Sequence, residues 1–157
     1  MNKNSIQLIF ALSAPILSLV FLASVKAFLL SQGSELIFDV AGRDPRDLLR
    51  GHYVQFEVLY GFPVTCPDNE SIRNVYLCLD QKTLSENAPD SCNKYITGVC
   101  SRGLFSAGIE RYYVGEHTVQ EVEQEIRDKR AQIEISLLSN GHAQIRNLLI
   151  NGKPWKK

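Results

Sequence analysis

The sequence predicts an α+β chain: an N-terminal transmembrane helix, then a mainly antiparallel β domain with one amphipathic helix and a C-terminal hairpin. Three observations carry that expectation. Ile6 to Val25, "IQLIFALSAPILSLVFLASV", holds no charged residue and is bracketed by Lys3 and Lys26. Downstream, several short segments alternate apolar and polar side chains, as a strand with one buried face requires. Late in the chain stand one stretch with helical spacing and one Asn-Gly turn between two alternating arms.

At ~1.5 Å rise per residue, a helix the length of the first segment is roughly 30 Å long, the thickness of a bilayer core. The expected organisation is a short cytoplasmic tail over residues 1–5, a span over 6–25, an extracytoplasmic domain over 33–152 and a basic tail over 153–157. A cleaved signal peptide ending near "VKA" (Val25 to Ala27) is the competing reading. Its usual apolar core of about 7 to 15 residues is shorter than this one. Pro15 would kink the helix, which neighbours or water tolerate inside a membrane.

In a chain of 157 residues, 17 basic side chains balance 17 acidic ones, so no overall field draws it to nucleic acid. Cys66, Cys78, Cys92 and Cys100 cluster in one stretch without the C-x-x-C spacing of zinc or thioredoxin-like sites. Two disulfides are expected. They place the domain outside the cytosol, periplasmic or extracellular, on a single-pass protein of the inner (cytoplasmic) membrane. Spacing does not select among three possible pairings; the sequential one, Cys66 with Cys78 and Cys92 with Cys100, is the expectation.

"ELIFDV" (Glu35 to Val40) reads as the first strand. "DPRDLLRG" then reads as one self-capped helical turn, with Asp44 as cap, Pro45 at the first helical position and Asp47 near the positive end of the dipole. "HYVQFEVLYG" follows as a strand with Val54, Phe56, Val58 and Tyr60 on one face. Phe62 to Asn93 reads as a disulfide-pinned excursion containing one strand, Asn74 to Leu79, and a glycosylation sequon on paper at Asn69 to Ser71. Strands are expected at Lys94 to Ser101 and Gly108 to Val114.

"HTVQEVEQEIRDKRAQ" has Thr118 as a cap with Glu121 three residues on, and Val119, Val122 and Ile126 form its apolar stripe. Asn140-Gly141 is expected to take positive φ at both residues and to join the arms "AQIEISLL" and "AQIRNLLI", with Ile133, Ile135 and Leu137 inward. The tail "NGKPWKK" reads as frayed or as touching lipid headgroups.

The search for chemistry yields no catalytic residue, metal ligand set or cofactor motif. His52, His117 and His142 share no metal-binding spacing, and H-E-x-x-H, a phosphate loop and G-x-S-x-G are absent. The Asp44/Asp47 and Glu121/Glu125 pairs have cations nearby that favour ionised surface carboxylates. A signal-peptidase-like envelope hydrolase is the alternative, since Pro45 to Val54 has a passing likeness to that family's segment. Gly42 stands where its serine would be, and no lysine occurs between Lys26 and Lys82 to act as base.

"DPRDLLRG-HYV", "ERYYV" about fifty residues later, a Glu-rich helix and a strand-Asn-Gly-strand ending in "LLING" resemble the GDYXXLXY proteins, a bacterial membrane-associated family. Within the naming motif Gly51 and Tyr53 match, while His52 replaces the aspartate, Phe56 the leucine and Val58 the final tyrosine. An acidic or metal-binding role of that aspartate therefore does not transfer. Gly115 stands where a proline would follow "RYYV". The resemblance implies architecture and location and no activity.

The functional expectation is a non-enzymatic component of an envelope assembly. Arg43, Arg46, Asp47, Arg50, His52 and Tyr53 form its candidate interaction surface, because arginine suits forked contacts to carboxylate or phosphate. The partners expected are membrane lipid and other envelope membrane proteins. Small-ligand binding in a cleft between the sheet and the disulfide loop is a third possibility.

Overall fold

The computed structural model describes residues 3–42, 53–66, 73–88 and 91–155, and among these the side chains other than those of 3–11, 29, 30 and 116. It divides into two units, residues 1–32 and 33–157. The first is a helix, α1 (Lys3–Gln32), which runs through Pro15. Two of its serines return their hydroxyls to the helix backbone: Ser24 Oγ donates to Val20 O at 2.8 Å and Ser31 Oγ to Phe28 O at 2.7 Å.

The expected span lies within α1, but among the described residues no helix is long and apolar enough to cross a membrane. A transmembrane assignment is thus not carried by the fold.

The second unit is a mainly antiparallel β domain. Its larger sheet holds β1 (Ser34–Gly42), β2 (Tyr53–Leu59), β7 (Arg111–Tyr113), β8 (Ala131–Leu137), β9 (Ala143–Ile150) and β10 (Lys153–Pro154), in the order β10-β9-β8-β1-β2-β7. Alternation decides which side chains go inward. Val54, Phe56 and Val58 of β2 are buried, as are Ile133, Ile135 and Leu137 of β8. Arg146 is the extra residue of a bulge between Ile145 and Asn147, and it pairs with Glu35 of β1.

The strand expected inside the Phe62 to Asn93 excursion and the one expected at Lys94 to Ser101 both form, and with two short unexpected strands they make a second sheet. It contains β3 (Arg73–Cys78), β4 (Thr83–Ser85), β5 (Tyr95–Ser101) and β6 (Leu104–Ser106), ordered β4-β3-β5-β6. The short strands β4 and β6 carry too few residues to show a period. Leu77 and Ile96 of this sheet join Phe56, Ile133 and Leu148 of the other in one buried cluster. Gly98 is required where the second sheet is tightest, since a Cβ there would stand 2.6 Å from Ser106 O.

Both expected disulfides form, but nested rather than sequential: Cys66 joins Cys100 and Cys78 joins Cys92. The cause is the β3–β5 ladder, in which Arg73 faces Cys100 and Cys78 faces Tyr95. Antiparallel pairing brings early residues to late ones, so each bridge closes one end of the ladder.

A 3₁₀ turn (Glu116–Thr118) leads into α2 (Val119–Arg127), whose Val122 and Ile126 are buried. The expected capping box does not form. Thr118 makes no side-chain cap; its Oγ1 donates to Gly115 O at 2.9 Å because the chain is already turning there. The helix ends earlier than its charged sequence suggests, with Lys129 at φ 56°.

Positive φ at both residues of a tight turn occurs at Asn151-Gly152 (52° and 74°), not at Asn140-Gly141, where only Gly141 takes it (80°). Asn140 instead accepts the His142 amide on Oδ1 at 3.1 Å, within a longer loop from Leu138 to His142. The turn at Asn151 folds the tail back as β10, and Trp155 N donates to Leu148 O at 2.7 Å. Lys153 to Trp155 are therefore part of the domain, contrary to the frayed tail expected.

Candidate functional site

Of the residues expected to form the interaction surface, Arg43, Arg46, Asp47, Arg50 and His52 lie outside the described residues, as do the self-capped turn, the Asp44/Asp47 pair and the sequon. Tyr53 opens β2. It stands opposite Tyr113 of β7, with Val54 opposite Tyr112 and Gln55 opposite Arg111. The "YVQ" and "RYY" segments are thus paired neighbours.

Odd-numbered residues of this pair share the outer face, so three side chains meet there. The rings of Tyr53 and Tyr113 are edge-to-face with centroids 6.0 Å apart, and the Arg111 guanidinium lies over the Tyr53 ring at 5.5 Å. Tyr113 remains 67% exposed. Since β7 ends the sheet, the cluster sits on its edge. Aromatic rings and arginine held rigid in this way are what protein interfaces concentrate at their centres.

Beyond this pair, the chain builds a cleft of about 440 Å³ between the end of β2 with its following loop and the β5–β6 turn, lined among others by Tyr60, Phe62, Leu104, Phe105 and Glu110. Gly61 and Gly103 turn the two walls at φ 79° and 76°. The Tyr60 ring is wedged edge-on between Phe38 at 5.3 Å and Phe105 at 5.7 Å. Its hydroxyl is buried, with no hydrogen-bond partner among the described residues. Burial, with the Glu110 carboxylate adding to it, holds that hydroxyl well above the ordinary tyrosine range, so it stays a proton donor. Glu110 is itself fixed, accepting from Ala107 N at 2.6 Å and Ser106 Oγ at 2.9 Å.

The remaining candidates are dispersed. His117 and His142 are exposed. Glu125 pairs with Arg130 at 2.8 Å and Glu123 with Arg127 at 3.8 Å, so these two α2 carboxylates belong to a salt-bridged surface. Among the described residues no group of histidine, cysteine and acidic side chains is placed to hold a metal.

Sequence reasoning named Tyr53 but missed Arg111, Tyr113, Tyr60 and Glu110. The outward alternation of "RYY" was a usable signal for the first two. A cleft between the sheet and the disulfide loop was among the expectations, but nothing local signalled its lining residues, because they come from segments distant in the sequence.

Among known proteins, the family described as GDYXXLXY protein matches residues 15–148. No curated protein and no solved structure matches the chain.

Proposed function

As the chain belongs to the GDYXXLXY family, we propose that it serves as an extracytoplasmic interaction component of an envelope assembly, tethered to the membrane by its N-terminal helix and acting by binding. The observation that carries this reading is the Tyr53, Arg111 and Tyr113 cluster on the edge of the larger sheet. It offers aromatic area already ordered, at little further entropic cost to a partner.

Two features support the location. Nested disulfides suit an oxidising compartment. On α1 the consecutive residues Leu19, Val20, Phe21 and Leu22 are each more than half exposed. At ~100° per residue they cover every side of the helix, leaving no polar face for water. Together with the uncharged run from Ile6 to Val25, this favours a lipid surrounding.

The test is the size of the native complex extracted from membranes in mild detergent. The double variant Arg111→Ala/Tyr113→Ala should migrate as a smaller species while keeping its melting temperature within a few degrees. Unchanged migration would contradict the reading.

A further inference from the structure

We infer that the cleft beside Tyr60 is a docking groove for an extended peptide, apolar with flanking basic residues, which adds a strand to β2. The argument begins with the β2 backbone. β7 pairs with β2 only as far as Gln55, after which the Phe56 amide donates to Glu110 O at 3.1 Å. Gly108, at φ 81°, then turns the preceding chain away.

In an antiparallel strand the amide and carbonyl of every second residue point to the same side. Val58, two residues after Phe56, therefore aims its N–H and C=O at the same side, where among the described residues no strand pairs with β2 beyond Gln55. Its other neighbour is already in place, with Val40 opposite Val58 on β1. The cleft opens on this edge, and the consecutive residues Phe56 to Val64 line it.

The walls specify the occupant. A residue facing Val58 would direct its side chain inward, towards apolar surface that includes Phe62 and Phe105; Leu104, 52% exposed, stands at the rim. Among the described residues the ionisable lining includes the carboxylates Glu57 and Glu110 and no lysine, arginine or histidine. Flanking basic side chains complement it. A backbone edge with its own donor and acceptor selects a polypeptide over a lipid or sugar, as in other strand-addition sites.

The test uses the full chain in detergent and a fluorescein-labelled hexapeptide of alternating valine and lysine, read by fluorescence anisotropy. Saturable binding is expected below about 1 mM. In a strand only one alternate set of amides faces β2, so N-methylation of either the valines or the lysines should weaken binding about tenfold and methylation of the other set should be tolerated. Leu104→Arg, at an exposed position, should abolish binding. Absence of saturable binding, equal loss from both methylation patterns, or binding indifferent to Leu104→Arg would overturn the inference.

Discussion

Tyr53 and Tyr113 face each other across β2 and β7, ring centroids 6.0 Å apart with their planes at 65°, and Arg111 covers the first ring from the diagonal position. The relationship joins two segments distant in sequence and leaves the second ring exposed. A double-mutant cycle with Tyr53→Ala and Tyr113→Ala, read by denaturant unfolding, should give a coupling of about 0.5–1.5 kcal/mol. Strict additivity would mean that the rings do not interact in solution.

The nested bridges make a covalent prediction. Peptide mapping without reductant should recover Cys66 with Cys100 and Cys78 with Cys92. Removing either pair by double substitution to alanine should cost about 2–5 kcal/mol, as for other small disulfide-bearing domains. Sequential pairing would contradict the β3–β5 register itself.

The buried hydroxyl of Tyr60 predicts a dependence on alkaline pH. Its folded pKa is raised, by burial first and by Glu110 second, so the folded state holds the proton more tightly than the unfolded chain. Below the ordinary tyrosine value of about 10 the group contributes no slope; above it, stability falls as the pH rises towards the folded value. Tyr60→Phe should therefore flatten the loss of stability between about pH 10 and 11.5 relative to the parent chain. An unchanged slope would place that hydroxyl in water.

Gly98 tests the packing of the smaller sheet. A methyl group there would meet Phe105 Cζ and Ser106 O, both at 2.6 Å, and the backbone oxygen has little freedom to yield. Gly98→Ala should destabilise the domain by about 1–3 kcal/mol in urea unfolding. A neutral or stabilising result would show that β5 and β6 lie farther apart.

These tests mark what was legible in the residues. Alternation in "HYVQFEVLYG" and "AQIEISLL" showed the buried faces of β2 and β8 because one side of each strand is apolar. The pairing of Tyr53 with Tyr113 was hidden, since register depends on neighbours and not on the strand alone. Antiparallel order likewise chose the disulfide partners. Asn140-Gly141 and Asn151-Gly152 carry the same dipeptide, yet only the second takes the tight turn. There the chain has two residues between paired positions, Ile150 and Lys153, whereas the loop between Leu137 and Ala143 is longer. Thr118 failed as a cap because a 3₁₀ turn precedes it. The lining of the cleft, built from loop ends that meet only after folding, left no pattern to read.

The most direct test of the proposed interaction edge is site-specific photo-crosslinking in intact cells, with a benzophenone side chain at Tyr113 and, as control, at the exposed Thr83 of β4. The account predicts a discrete higher-mass adduct from position 113, absent from position 83 and lost on Arg111→Ala. No adduct at 113, or the same adduct from both positions, would contradict an interaction edge at Tyr53, Arg111 and Tyr113.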